Sequence, residues 1–186
     1  MNSVGGDILT FLIRTLFSLY IGAVVIRFLL AWARADFYNP ISQFLVTITN
    51  PLLVPLRRVI PSFGSVDTAT LVLAYGLKLI ELSLIVWTAG LDANVFTLAY
   101  LAVLELAKLV IYIYLVAVIV QAILSWISPG TQYYNNPIAS LLQSLTAPLL
   151  RPVQRVMPPL GGIDLSPLLV IIALNIALIL LRSFYR

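Results

Sequence analysis

The strongest constraint on this chain is that it repeats one spaced pattern of prolines, arginines and an aspartate. Asn-Pro-Ile begins at Asn39 and again at Asn136, and Pro-Leu-Leu-x-Pro-x-x-Arg-Val-x-Pro begins at Pro51 and again at Pro148. An aspartate follows each copy, and every repeated residue lies 97 positions after its counterpart. A constant offset across residues of such different chemistry indicates internal duplication. The two copies are predicted to occupy residues 1–92 and 93–186.

The repeated residues form two matched sets that lie between long apolar runs. The first set is Asn39, Pro40, Pro51, Pro55, Arg58, Pro61 and Asp67. The second set is Asn136, Pro137, Pro148, Pro152, Arg155, Pro158 and Asp164. Because apolar runs flank both sets, the duplicated unit is predicted to lie in a membrane.

The composition excludes an ordinary soluble domain. Hydrophobic residues make up 61% of the chain and charged residues 10%, which leaves too little polar surface to cover a globule. The chain has no cysteine and no histidine, which excludes thiol and imidazole metal sites and catalysis by either group. It also lacks a nucleophile–base pair and a glycine-rich phosphate loop, so neither enzymatic activity nor a cofactor is expected. The basic residues are few and scattered, which disfavours nucleic-acid binding.

Four apolar segments are long enough to cross a bilayer as helices, which takes about 20 residues. They cover roughly residues 8–33, 68–91, 95–127 and 163–182, and the second and third are joined as an antiparallel hairpin by a short turn. The predicted fold is therefore an all-α membrane protein with four transmembrane helices. They are arranged as two parallel repeats, each consisting of a helix, an amphipathic helix and a helix. Arg14 and Arg27, in the first span, are expected to extend to opposite headgroup layers.

The linker inside each copy has the apolar periodicity of an amphipathic helix. The apolar positions are Ile41, Phe44, Leu45, Ile48 and Leu52 in the first copy and Ile138, Leu141, Leu142, Leu145 and Leu149 in the second. The Asn-Pro dipeptide supplies an N-cap followed by proline at the first helical position. Pro51 and Pro148 are expected to end or bend these helices.

Basic residues predict the orientation, because short cytoplasmic loops are enriched in arginine and lysine. The two linkers contain Arg34, Arg57, Arg58, Arg151 and Arg155. The opposite face has fewer basic residues and the acidic turn at Asp92. The linkers are therefore expected in the cytoplasm and both termini in the periplasm.

The order Asn-Pro-Ile, Pro-Leu-Leu-x-Pro-x-x-Arg-x-x-Pro and a following Gly-x-x-Asp or Gly-x-Asp resembles the YggT family of small bacterial membrane proteins. The resemblance covers almost the whole chain, although the first copy departs slightly between its last proline and its aspartate. It implies a place in the bacterial inner membrane and links to osmotic stress, cation uptake or cell division. For the plastid relatives it implies links to cytochrome assembly and nucleoid partitioning. It implies no agreed biochemical activity.

A charged cluster in the hairpin is the sharpest candidate for chemistry. Lys78 and Glu81 lie near the middle of the second span, and Glu105 and Lys108 lie at mirrored positions in the third. The i, i+3 spacing pairs each lysine with a glutamate, and the four charges sum to zero. The cluster is interpreted as a neutral clamp rather than as an ion or proton path, since charges inside a bilayer must be paired. If only the C-terminal part of the third span crosses, Glu105 and Lys108 would lie at the interface instead.

The repeated pairs Arg58 with Asp67 and Arg155 with Asp164 have two interpretations. An arginine at these positions binds a lipid phosphate or a partner, or it bridges to its own aspartate nine residues later. Arg57 and Arg151 belong to the same candidate lipid- or partner-binding group.

These features together predict a non-enzymatic inner-membrane scaffold or assembly factor, and the resemblance implies a role in envelope or osmotic homeostasis. The expected partners are the lipid bilayer and other membrane proteins, and assembly into homo-oligomers is left open. The alternative is a small cation channel or transporter, because the repeated plan of span, short helix and span resembles potassium-channel subunits. However, no potassium-filter sequence follows either short helix. A lipid-handling role is a third, weaker possibility.

Overall fold

The computed structural model describes residues 4–63, 66–127, 136–156 and 164–185, and those ranges contain helices but no β-strand. The helices are α1 (Val4–Trp32), α2 (Pro40–Val59), α3 (Thr68–Thr88), α4 (Val95–Ile127), α5 (Pro137–Val156) and α6 (Ser166–Ser183). Four of them, α1, α3, α4 and α6, are long and apolar enough to cross a membrane. The predicted all-α membrane fold is confirmed.

Two of the spans end in the same hydrogen-bonded cap. At the end of α3, Leu91 N bonds to Val86 O (3.1 Å) and Gly90 has a φ of +64°, which glycine adopts without strain. At the end of α1, Ala35 N bonds to Leu30 O (2.9 Å), but the left-handed position is occupied by Arg34, with a φ of +52°. That conformation costs a residue with a side chain about 1 kcal/mol.

Both α2 and α5 continue past their internal prolines, so of the two outcomes expected at Pro51 and Pro148, an end or a bend, the end is wrong: α2 ends at Val59 and α5 at Val156. Each proline removes one backbone donor, and a second proline follows four residues later. Because residues four apart share one helix face, both missing hydrogen bonds fall on the same side. Pro51 and Pro55 are exposed, so the intact bonds remain on the buried side.

The buried face of α2 is centred on Ser42, Leu45, Thr49 and Leu53. This face is rotated from the predicted apolar stripe, since Phe44 is 62% exposed and Leu52 is 44% exposed. In α5 the corresponding buried residues are Ala139, Leu141, Leu145, Thr146 and Leu150. Small and hydroxyl side chains on both faces allow α2 and α5 to pack closely against the two spans of their own repeat.

Within each repeat the first span packs against the second, and the helix between them in sequence contacts both. The repeats meet where α3 packs on α4 and where α5 contacts α1 and α2. The described parts of α6 and α1 make no comparable contact, so the repeats do not close into a symmetric pair. The larger core cluster contains residues of both repeats, from Ile21 and Val24 in α1 to Tyr114 in α4 and Leu145 in α5.

Asn39 has two roles, and its counterpart Asn136 shares only the first. Both side chains cap their helices: Asn39 Oδ1 accepts from Ile41 N (3.0 Å), and Asn136 Oδ1 accepts from Ile138 N (2.9 Å). In addition, Asn39 Nδ2 donates to Pro137 O (2.8 Å) and so joins the N-termini of α2 and α5.

We expect Asn39→Ala to destabilise the chain about twice as much as Asn136→Ala. Loss of a cap costs about 1 kcal/mol, and loss of the link to Pro137 adds about 1 kcal/mol. Thermal unfolding of the two variants in detergent compares them directly, since each change removes the same cap. Equal melting temperatures would show that the link contributes nothing to stability.

Candidate functional site

The four predicted hairpin charges lie together around one cavity. Lys78 Nζ pairs with Glu81 Oε2 at 2.8 Å, and Lys108 Nζ pairs with Glu105 Oε1 at 3.1 Å. All four side chains line a cavity of about 530 Å³ between α1, α3 and α4. The cluster therefore stays intact rather than losing Glu105 and Lys108 to a separate site.

The two ion pairs differ in exposure. The Lys78 and Glu81 side chains are 13% and 5% exposed, whereas those of Lys108 and Glu105 are 39% and 27% exposed. The hydroxyl of Tyr185 donates to Glu105 Oε1 at 3.1 Å, and Lys108 Nζ lies 5.7 Å from the centre of the Tyr185 ring. Burial and the Glu105 carboxylate raise the pKa of Tyr185 to about 12, so its hydroxyl remains a donor at neutral pH.

The sequence did not indicate the fifth charge at this cavity. Arg14, on α1, lines the same space, so three cationic and two anionic side chains surround it. No ion pair connects α3 to α4 within the described ranges, because each lysine pairs inside its own helix. A lining with a net charge of +1 disfavours the binding of a cation.

Arg27 is not a snorkelling residue, which corrects the expectation for the first span. Its side chain is only 6% exposed, and Nη1 donates to Asn50 Oδ1 (2.9 Å), Val46 O (3.3 Å) and the Thr49 hydroxyl. A buried guanidinium needs such acceptors, because leaving the charge unsolvated is costly. Arg27 therefore fixes α2 to α1.

The second copy makes a related contact with different side chains. Thr146 is the counterpart of Thr49, both are 0% exposed, and the Thr146 hydroxyl bonds Gln121 Oε1 of α4. The sequence signal was present, since the two threonines lie 97 positions apart. The polar contacts of these threonines were not predicted, because a threonine inside an apolar helix is usually a packing residue.

The internal bridge in the first copy is made by Arg57 and not by the repeated Arg58. Arg57 Nη2 pairs with Asp67 Oδ2, and Asp67 also accepts from Thr70 N (3.3 Å), so it caps α3. In the second copy Gln154, the counterpart of Arg57, donates to Asp164 Oδ2 at 2.8 Å. The two repeated arginines, Arg58 and Arg155, are exposed and have no partner among the described residues.

A second cavity, of about 550 Å³, lies beside this bridge. It is lined by Arg27, Arg57 and Asp67 together with apolar residues of α1, α2 and the connection that follows α2. Burial alone would raise the pKa of Asp67, but the hydrogen bonds from Arg57 and Thr70 outweigh burial and hold the pKa below its usual range. The carboxylate is therefore ionised at neutral pH.

Most of the remaining predicted residues are prolines that begin, lie inside or follow α2 and α5. Pro40 and Pro137 begin α2 and α5, while Pro51, Pro55, Pro148 and Pro152 lie inside these helices. Pro61 O accepts a hydrogen bond from the Thr68 hydroxyl (2.5 Å). Arg151 is exposed on α5. Pro158 lies outside the described residues.

We expect Arg57→Gln to lower the free energy of unfolding by less than about 1 kcal/mol at neutral pH, because the Arg57 side chain is 44% exposed. The variant also gains the glutamine–aspartate hydrogen bond that Gln154 and Asp164 form in the second copy. A carboxyl with a lowered folded-state pKa stabilises the fold above its unfolded value of about 3.9. This contribution is lost as the pH falls through the folded-state value. Melting curves from pH 6 to pH 3 should therefore show a smaller acid-induced loss in Arg57→Gln than in the parent chain. Asp67→Asn serves as the control, and equal losses in all three proteins would contradict this account.

Comparison with known proteins identifies the family. The CCB3/YggT family model matches residues 6–88 and 100–185, one segment in each copy. The protein PA0392 of Pseudomonas aeruginosa is 42% identical over 168 residues, which cover 89% of this chain and 84% of that protein. The protein of the proC 3′ region of Vibrio alginolyticus is 41% identical over 179 residues, which cover 95% of this chain and 92% of that protein.

A third relative is the YggT protein of Escherichia coli K12, which is 40% identical over 177 residues, covering 90% of this chain and 86% of that protein. No solved structure matches the chain. The family match in both halves and the relatives along most of the length agree with the repeated motif and the four apolar helices. The chain belongs to the CCB3/YggT family.

Proposed function

We propose that the chain is a non-enzymatic scaffold or assembly factor of the bacterial inner membrane, which binds other membrane proteins and contributes to envelope or osmotic homeostasis. The observation that carries this proposal is the pair of amphipathic helices. They are held to each other through Asn39 and Pro137, and each packs on the spans of its own repeat. We call this pair, α2 with α5, the platform.

The platform presents apolar side chains that the bundle does not cover. Phe44 is 62% exposed and Val59 is 82% exposed on α2, and Ile138 is 48% exposed on α5. Arg58 lies on the same helix as Phe44 and has no partner in the described parts of the chain. Exposed apolar residues beside unpaired guanidinium groups are suited to binding another protein.

The paired charges of the α3–α4 hairpin support a structural role rather than a reactive one. Lys78, Glu81, Glu105 and Lys108 are paired within their own helices, and the cavity that they line has an excess of positive charge. In the described ranges no three acidic side chains form a group that could hold a metal ion. The accessible surface of the platform is therefore the part of the molecule best suited to an interaction.

Photo-crosslinking tests the scaffold. A photoreactive residue is placed at Phe44 or Ile138 on the platform, and at Ile172 on α6 as a matched control of similar exposure to Ile138. We expect the platform positions to capture a discrete membrane protein whose assembled form decreases when the chain is depleted. Equal capture at all three positions, or capture of a second copy alone, would contradict the proposal.

In the proposed orientation the platform faces the cytoplasm and both termini face the periplasm. The chain has no cysteine, so single cysteines report orientation without background. Val59→Cys on the platform should be shielded from an impermeant thiol reagent added to the periplasm, whereas Ala93→Cys in the α3–α4 turn should react. Labelling of Val59→Cys alone would reverse the orientation.

The second candidate function is a small cation channel or transporter. The observation in its favour is that acidic and lysine side chains line the cavity of about 530 Å³, because intramembrane acids and lysines are the usual parts of ion and proton paths. The net charge of +1 on that lining counts against a cation, which makes this function the second candidate. Cation flux into proteoliposomes, with the Lys78→Met/Glu81→Gln double variant as control, decides between the two functions. Flux that disappears in the variant would replace the scaffold with a transporter, and absence of flux from folded protein would support the scaffold.

A further inference from the structure

A third cavity, of about 480 Å³, combines arginines from both repeats. Arg34, at the end of α1, lines it together with Arg151 and Arg155, which lie one turn apart on α5. The other lining residues are alanines, prolines and Ser144. The Ser144 hydroxyl donates to Ser140 O (3.0 Å). Three guanidinium groups therefore line one open space.

No carboxylate neutralises this cluster. All seven acidic residues of the chain lie in the described ranges, and none of them lines the cavity. The nearest in sequence, Asp36, accepts a hydrogen bond from Tyr38 N (2.8 Å) and forms no ion pair with Arg34. Guanidinium groups gathered without an acidic partner are suited to a planar or tetrahedral oxyanion.

The backbone of Arg34 is a second, independent observation. Arg34 occupies the left-handed position of the α1 cap, where the α3 cap has Gly90. Glycine would satisfy the same hydrogen bonds without strain, so helix capping does not explain an arginine here. Strain retained at one residue points to a use for its side chain.

The equivalent positions, 97 residues away in each copy, do not carry the same three arginines. The counterparts of Arg34, Arg151 and Arg155 are Thr131, Val54 and Arg58, so the first copy offers one guanidinium group where the second has two. The cavity is therefore a feature of the joined chain and not of the repeated motif.

We propose that this cavity binds a phosphate group, supplied by the headgroup of an anionic phospholipid. The three guanidinium groups would donate to its non-bridging oxygens, and their excess charge would favour an anionic headgroup over a zwitterionic one. The site belongs to the platform side of the bundle but does not depend on the proposed binding of other proteins. A basic pocket between helices at this level is suited to a lipid headgroup.

Native mass spectrometry of the full chain in detergent tests the site by counting bound lipids during titration with phosphatidylglycerol, with phosphatidylcholine as the zwitterionic comparison. We expect Arg34→Gly and Arg155→Gln each to weaken phosphatidylglycerol binding about tenfold, because each removes a charged hydrogen-bond donor. Arg182→Gln is the control, since it removes the same charge from an exposed position in the last turn of α6, outside the cavity, and it should leave binding unchanged.

Thermal melting separates binding from folding. Arg34→Gly relieves the backbone strain, so it should lose lipid while its melting temperature stays the same or rises. Wild-type binding by Arg34→Gly, or an equal loss in Arg182→Gln and Arg155→Gln, would overturn the proposal. Inorganic phosphate is added as a competitor. Displacement of the lipid at low millimolar concentration would identify a soluble anion as the ligand, and its failure to compete would support the lipid headgroup.

Discussion

Lys78→Met alone should lower the free energy of unfolding by about 3–5 kcal/mol, whereas Lys78→Met combined with Glu81→Gln should lower it far less. The single change leaves the Glu81 carboxylate, which is 5% exposed, without the ammonium group 2.8 Å away. The double change removes both charges together and keeps side chains of similar volume. The buried pair is thus expected to be costly to break but inexpensive to replace.

A double-mutant cycle by reversible unfolding in detergent measures this coupling. The matched control is Lys108→Met, because the Lys108–Glu105 pair has the same i, i+3 spacing but is 39% and 27% exposed. Loss of the Lys108–Glu105 pair should lower the free energy of unfolding by about 1 kcal/mol or less. A double variant at least as unstable as Lys78→Met would show that the pair acts through packing and not through charge.

Arg27→Met should destabilise the chain by about 3 kcal/mol, the second-largest effect that we expect. The change removes the donor shared by Asn50 Oδ1, Val46 O and the Thr49 hydroxyl, and it releases α2 from α1. Arg27→Lys should recover only part of the loss, since an ammonium group cannot reproduce the planar geometry of the guanidinium.

Arg14→Met is the control for Arg27→Met, because Arg14 lies on the same helix and is exposed. Thermal melting should show a small change for Arg14→Met and a large one for Arg27→Met. Hydrogen exchange of the α2 backbone should also increase in Arg27→Met if the contact holds α2 in place. Equal melting temperatures for the two variants would contradict the role assigned to Arg27.

The duplication, the spans and the asparagine caps could be predicted from the sequence because they depend on spacing and on apolar length. The rotation of α2 about its axis could not be predicted from the same spacing. For this reason the sequence assigned the bridge to Asp67 to Arg58, whereas Arg57 forms it. Adjacent helical residues point about 100° apart, so the face that is buried decides which arginine meets Asp67. Thr49, Leu53 and Arg57 follow one another at intervals of four, and the first two are buried.

Burial of Arg27 was missed for a related reason. A lone arginine near the end of an apolar run usually extends to the headgroups. Only the packing of α2 against α1 brings Thr49 and Asn50 within reach of its side chain. The charged hairpin cluster was predictable because its mirrored spacing is local, but Arg14 joins it from a helix distant in sequence.

The charged hairpin cavity lies where the two copies are joined, between α3 and α4, so the order of the copies decides which helices are connected there. The counterparts of Lys78 and Glu81 are Asn175 and Leu178, and those of Glu105 and Lys108 are Ile8 and Phe11. With the halves exchanged in the gene, the covalent junction would join α6 to α1, and neither helix carries any of these four charges. The two copies thus differ at all four positions, and neither copy alone supplies the charges that line this cavity.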